Sequence, residues 1–284
     1  MSSLDCLSHM CGVRITPPAV CCGPFPLLVS EPIHHFPRCW EDDVLETCLL
    51  GDIASSAQPV IESIKAGLAQ TCATTARDGN VRLKVAFVGY RDICDGPRRF
   101  VVHDFDEPAN IAQWMETIIV TGSGDEGAKD VIGGLEKVAA LSWGANIRLL
   151  IHLVDAPAHG MQFHGPDVRD DHPEGLPGQN PAQTLAQLHA MHILYRMFML
   201  AHPQPMMYKA FQGMFEQDGD HMCLLTKYRV RYDLSDLMSV FTRASEAAII
   251  CHRTNHHGCC PHASAPPGPV NEAHDSLSPA DPAT

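Results

Sequence analysis

The chain has 284 residues, 45% of them hydrophobic and 19% charged, with a formal net charge of −13 when histidine is counted as neutral. That length suits one large domain with tails or two small ones. The acidic balance excludes a nucleic-acid surface, which needs a basic face, and fits a soluble protein or one that attracts cations or basic partners. No stretch reaches the roughly 18 to 20 apolar residues of a membrane span.

Residues 1–42 are rich in Pro, Cys and Ser without a period and read as an irregular, disordered arm. They lack a basic start followed by an unbroken apolar core, so no secretory leader is expected and the expected location is cytoplasmic. In a reducing compartment Cys48, Cys72, Cys94 and Cys223 are expected as thiols. From Val44 the pattern changes: VLETCLL is a first apolar segment, ending at Gly51-Asp52. PVIESIKAGLAQ then sets Val60, Ile61, Ile64 and Leu68 on one helical face, with Pro59 in the first turn.

VRLKVAFVGYRD (81–92) and RRFVVHDF (98–105) read as strands. The turn between them, ICDGP, is too short for a crossover, so this pair is antiparallel. PANIAQWMETI predicts a helix burying Ile111, Trp114, Met115 and Ile118; TGSGDEG breaks it, and a second helix buries Val131, Ile132, Leu135, Val138 and Ala139. NIRLLIHLV (146–154) is the unbroken apolar run of a central parallel strand covered on both faces, with His152 as a core histidine.

Residues 156–181 form a loop of a length that points to function. A helix near 182–191, a strand near 192–199, a helix near 206–217, a weaker strand near 222–232 and a last helix carrying Leu237, Val240, Phe241, Ala244 and Ala248 follow. The tail over 251–284 is rich in His, Cys and Pro and reads as disordered; its CHRTNHHGCCPH lacks the paired spacing of a zinc site. Residues 43–250 are therefore expected to form one α/β domain. It is Rossmann-like and doubly wound, with a mostly parallel sheet, one antiparallel edge strand and helices on both faces.

Such sheets bind ligands where the strand order reverses, at the carboxyl ends of the strands. In the order 3-2-1-4-5-6 the first and fourth strands are neighbours, and they end at Asp52 and Asp155. Small hydroxyls lie close by in sequence: Ser55 and Ser56 after Asp52, and Thr121 and Ser123, with Asp125, in TGSGD. Carboxylates, hydroxyls and water suit a hard divalent cation such as Mg²⁺.

Three pieces resemble the metal-ion-dependent adhesion site of von Willebrand factor type A domains: Asp52-Ile53-Ala54-Ser55-Ser56, Thr121-Gly122-Ser123-Gly124-Asp125, and Asp155-Ala156-Pro157. TGSGDEGAKDVIGGLEK, HLVDAPAHGMQFHG and VGYRDICDG are similar to the A domains attached to some alpha-type protein kinases of protists and fungi. The resemblance covers roughly residues 43–250 and implies metal ligation by Asp52, Ser56, Thr121 and Asp155. It implies Mg²⁺, with Mn²⁺ or Ca²⁺ as alternatives, and one position open to a carboxylate from a partner. Ala54 stands where the family has Ser or Thr, so the cation is expected to be weakly held or lost.

Ser55, Ser123, Asp125, His159, His164, Asp170, Asp171 and His172 are expected as the rim of the binding surface. The resulting expectation is a non-catalytic module that binds a protein partner through an exposed Asp or Glu, with no nucleic acid and no membrane span. Two alternatives stand beside it. One is enzyme-associated, either a metal-dependent hydrolase built on the His/Asp loop or a kinase-linked regulatory domain without its own kinase domain. The other is a metal-free scaffold.

Overall fold

A computed structural model of the chain describes residues 43–54, 57–78, 81–121, 127–200, 204–215, 226–229, 241–250 and 252. They belong to one compact unit over 33–253. The arm expected over 1–42 and, but for His252, the tail expected over 251–284 lie outside the described residues, as do Leu237 and Val240.

The elements run β1 (Asp43–Asp52), α1 (Gln58–Asp78), β2 (Val81–Tyr90), a 3-10 turn (Ile93–Arg98), β3 (Phe100–Asp106), α2 (Pro108–Met115), α3 (Val131–Ala139), β4 (Ile147–Val154), α4 (Pro181–Ala190), β5 (Leu194–Met199), α5 (Pro205–Phe215) and β6 (Thr226–Arg229). A further helix, α6, occupies 241–250. The strands form one sheet in the order β3-β2-β1-β4-β5-β6. β3 runs antiparallel to β2, and the other pairings are parallel.

The two-residue period of β1 sorts its side chains onto the two faces. Cys48 and Leu50 join the core beneath α3, α4 and α5. Leu45 and Leu49 join the core beneath α1, α2 and α6. The predicted faces of α1 and α3 are those that are buried: Val60, Ile61, Ile64 and Leu68 in one, Val131, Ile132, Leu135 and Val138 in the other. Each fully buried Leu or Ile of this kind contributes about 1.5–3 kcal/mol, so these stripes hold the helices to the sheet.

Boundaries differ from the sequence reading where local hydrogen bonding intervenes. The turn after β2 is a 3-10 helix because the Asp92 carboxylate accepts the Ile93 N–H at 2.6 Å while the Asp95 carboxylate accepts the Asp92 N–H at 3.3 Å. β5 starts at Leu194 rather than His192 because His192 takes φ +53°. That left-handed residue closes α4: its N–H donates to the His189 carbonyl at 2.8 Å, and the Ile193 N–H donates to the Leu188 carbonyl at 3.3 Å.

α3 lies close on β1 and β2. A Cβ on Gly134 would stand 2.9 Å from the Tyr90 ring and 3.1 Å from a Leu50 methyl. The Tyr90 hydroxyl is tied to His152 Nε2 at 3.2 Å, which limits how far that ring can move aside. Gly134→Ala gains about 1 kcal/mol of helix propensity and meets an overpacking cost of about 1–3 kcal/mol. A net loss of stability is expected, read as a lower thermal midpoint; an unchanged or raised midpoint would show that α3 is free to shift outward.

Candidate functional site

β1 and β4 lie side by side in parallel, with Gly51 opposite Leu153, so both strands end at one edge. Asp52 is the last residue of β1, and Asp155 follows the last residue of β4. Asp52 is only 4% exposed. One of its oxygens accepts the Ala54 N–H at 2.7 Å, an Asx turn that swings the chain toward α1. Burial and the neighbouring charge of Asp155 push Asp52 up to about 7, against the lowering influence of the Ala54 N–H, Lys129 and Arg91. A buried carboxylate beside a second one is more readily protonated, or answered by a cation, than one in water.

Ala54 is buried and offers no side-chain oxygen next to Asp52. Thr121 is exposed. Its backbone is held by Arg91, whose Nε–H donates to the Thr121 carbonyl at 2.7 Å. The same guanidinium donates to the carbonyls of Ile119, at 2.8 Å, and Arg98. Arg91 thereby anchors the segment that leads into TGSGD to the end of β2. Ser55, Ser56, Ser123 and Asp125 lie outside the described residues.

Three of the expected rim residues are internal. His159 and His164 are buried, and both bind Asp170. His159 Nδ1 lies 2.7 Å from Asp170 Oδ1, and its Nε2 lies 2.8 Å from Asp92 Oδ1. Both ring nitrogens thus face carboxylate oxygens and both must donate, so His159 is an imidazolium. Asp170 also accepts His164 Nε2 at 2.9 Å, the Gly160 N–H at 2.8 Å and the His172 N–H at 2.8 Å. This network folds the 156–181 loop on itself and clasps it to the turn after β2. Asp171 is exposed, and His172 is half-buried with its ring edge-on to His159.

Sequence reasoning missed Asp92, Arg91 and Lys129. The signal for Asp92 was available: a carboxylate closing an apolar strand, the pattern that singled out Asp52 and Asp155. Lys129 is 7% exposed. Its backbone bridges in parallel to Ala158, its N–H donates to the Pro157 carbonyl at 2.9 Å, and its carbonyl accepts the His159 N–H at 3.3 Å. His152 is a core histidine, as expected: Tyr90 and Tyr195 hydroxyls meet its two nitrogens at 3.2 and 2.7 Å. Burial drops it to about 3, so it stays neutral.

The donor set fits a hard cation in part. Asp52 and Asp155 supply acidic oxygens. Among the described residues no group of three His, Cys, Asp or Glu is arranged to hold a metal ion. Further ligands would have to be hydroxyls and water.

Burial opposes charge on His159, but the hydrogen bonds and charges of Asp92 and Asp170 leave it above its ordinary 6.5. Burial likewise opposes charge on Asp170, and the N–H donors around it carry it well below the ordinary 3.8. Asp92 is lowered as well. A raised histidine contributes stability that is complete below its unfolded pKa and lost as pH rises through its folded value. Lowered carboxylates contribute stability present above their unfolded pKa and lost as pH falls. The clasp is therefore strongest between roughly pH 4 and 6.5. Asp170→Asn should cost about 3 kcal/mol at pH 6, because it leaves a buried charge half-answered. In urea melts that deficit should shrink at pH 9; an equal deficit at both would show that the ion pairs are not its source.

No family model matches the chain. Over 137 residues, 48% of the chain, it is 26% identical to alpha-protein kinase vwkA of Dictyostelium discoideum, and the match spans 22% of that protein. Among solved structures it is similar to the vWF domain of the type V pili tip protein Mfa5 from Porphyromonas gingivalis, at 10% identity and TM-score 0.47, covering 73% of this chain and 96% of that one. It is also similar to the pilus adhesin SpaC from Lactobacillus rhamnosus GG, at 11% identity and TM-score 0.46, covering 73% and 30%. A third is proximal thread matrix protein 1 from the mussel byssus, at 13% identity and TM-score 0.44, covering 74% and 46%. The cytoplasmic location expected from the sequence is not upheld: the similar solved structures are of a pili tip protein, a pilus adhesin and a byssal thread matrix protein. Among the described residues no helix is long and apolar enough to cross a membrane, which by itself assigns no compartment. The strand order, the antiparallel edge strand and the helices on both faces make the fold Rossmann-like and von Willebrand A-like.

Proposed function

We propose that residues 43–250 form a non-catalytic protein-interaction module, flanked by the arm and the tail, whose ligand face is the carboxyl end of the sheet around Asp52 and Asp155. The supporting observation is the carboxylate pair at the switch point between β1 and β4, the buried Asp52 pushed up to about 7 by burial and by the half-buried Asp155. Asp52 and Asp155, with the hydroxyls of Ser56 and Thr121, would hold Mg²⁺, or Mn²⁺ or Ca²⁺ in its place. The ion would supply a Lewis-acidic position for an exposed Asp or Glu of a protein partner.

The chain's own residues set the frame for that capture. Arg91 holds the backbone of Thr121 through its carbonyl. The His159 network makes the 156–181 loop a built wall beside Asp155, and Ala54 withholds one ligand. A net charge of −13 favours cations over anions at the surface.

The hydrolase alternative would require His159 or His164 to ligate a metal. Both nitrogens of each ring are engaged instead, His159 by Asp92 and Asp170, His164 by Asp170 and the Gly165 carbonyl. The likeness to part of an alpha-protein kinase supports a second reading, in which such a module serves beside a kinase domain as its regulatory partner.

Binding to the native state alone raises stability by RT ln(1 + [L]/Kd), about 2.7 kcal/mol at a hundred times Kd. Chelator-stripped protein titrated with Mg²⁺, Mn²⁺ and Ca²⁺ should therefore melt at a higher temperature, and Asp155→Ala should abolish the rise while remaining folded. Absence of any rise in the unaltered chain at millimolar metal would sink the cation mechanism.

A further inference from the structure

Two adjacent residues at the end of β2 grip two separate segments of the ligand face. Arg91 holds the backbone that leads into TGSGD, through the carbonyls of Thr121 and Ile119. Asp92 holds the 156–181 loop, through His159 Nε2 at 2.8 Å. The first grip is permanent, because a guanidinium keeps its charge at every ordinary pH. The second depends on a proton. The run from Asp92 through His159 to Asp170 needs an N–H on both ring nitrogens, and a neutral ring has only one.

The two links are not equal. Asp92 Oδ1 accepts one other donor, the Ile93 N–H, and Asp92 Oδ2 is buried without a hydrogen-bond partner. Asp170 has three further donors: His164 Nε2 and the N–H groups of Gly160 and His172. A ring left with a single N–H therefore keeps it on Nε2 for Asp92, and the link from Nδ1 to Asp170 is the one that is lost. The other titratable groups about His159 are His172, edge-on to its ring, and Lys129, whose carbonyl accepts the His159 N–H. Phe163, buried against Phe211, anchors the same loop to α5 by apolar contact that no proton alters. What the lost link loosens is the stretch around Asp170, which also carries the Arg169 carbonyl that accepts the Gly127 N–H at 2.9 Å.

We propose that His159 is a proton-operated latch on this wall of the ligand face: the stretch over 169–172 is held while the ring is an imidazolium and loosened when Nδ1 gives up its proton to solvent. Burial opposes the charge, but the hydrogen bonds from Asp92 and Asp170 outweigh it, so the ring keeps its proton above its ordinary 6.5. The latch is closed at mildly acidic pH and opens as pH rises through the folded value. A partner then meets an ordered wall in the first case and a loosened one in the second. That the wall borders a ligand face rests on the reading of Asp52 and Asp155 as a binding site; the latch itself does not.

The test is amide hydrogen exchange by NMR on the full chain, without metal or partner, at pH 6 and pH 9, corrected for the intrinsic pH dependence of exchange. Protection of the Gly127 and Gly160 amides should fall at least about tenfold at pH 9, the factor lost by a latch that prefers the protonated ring tenfold. Protection within β4 should hold. Ring ¹⁵N spectra should show Nδ1, not Nε2, losing its proton, with the same midpoint as the loss of protection. In His159→Gln, whose side chain does not titrate, the two amides should be equally protected at both pH values. Equal protection at pH 6 and 9 in the unaltered chain, a pH dependence kept in His159→Gln, or proton loss from Nε2 would each overturn the latch. Should His159→Gln not fold, the unaltered chain decides: an Nδ1 midpoint separate from that of the amides overturns the proposal. Failure of cation binding at Asp52 and Asp155 would leave all of these outcomes untouched, so the latch and the cation site stand or fall separately.

Discussion

A buried carboxylate, Asp52, set beside the half-buried Asp155 is the constraint from which the chemistry of this edge follows. The parallel register of β1 and β4 brings both strands to an end at one edge, so Asp52 and Asp155 meet whether or not their charges favour it. Backbone hydrogen bonds and the apolar packing on both faces hold the register. The repulsion is left to be relieved by protons, by neighbouring cations or by a guest ion.

The surrounding elements are built to manage charge at that edge. Asp130 caps α3 by accepting the Gly133 N–H at 2.9 Å, and it is held in turn by Arg99 and by Gln179, the latter at 2.7 Å. The close approach of α3 to Tyr90 and Leu50 sets where that cap falls, and Lys129 precedes it directly. Arg91 and His159 act as internal ties, one on the segment entering TGSGD, the other on the long loop.

The same end of the sheet shows how the turn after β1 forms without a side-chain oxygen at position 54. Ala54 is buried, and the Asx turn at Asp52 is satisfied by the Ala54 N–H rather than by its side chain. No side-chain oxygen at position 54 is needed for that turn.

Much of the fold was legible in the sequence because it is written in local periods. The alternation of Leu45, Leu49 and Cys48, Leu50, the stripe from Val60 to Leu68, and the unbroken run ending at Val154 each report which faces are covered. The turn ICDGP, too short for a crossover, gave away the antiparallel edge. Asp52 and Asp155 were legible for a related reason, since a charge that closes an apolar strand has to sit at the sheet's end.

The tertiary structure alone decided the rest. His159, His164 and Asp170 read as a polar rim, and they became an internal clasp because Asp92, 67 residues from His159 in sequence, lies within hydrogen-bonding distance of its ring. Lys129 drew no reading from the sequence, and it is buried where its backbone pairs with Ala158 across the loop. Composition and periodicity report what a residue can do and which face it lies on. Which distant charge stands opposite it is set by strand order and loop closure, and no local pattern encodes that.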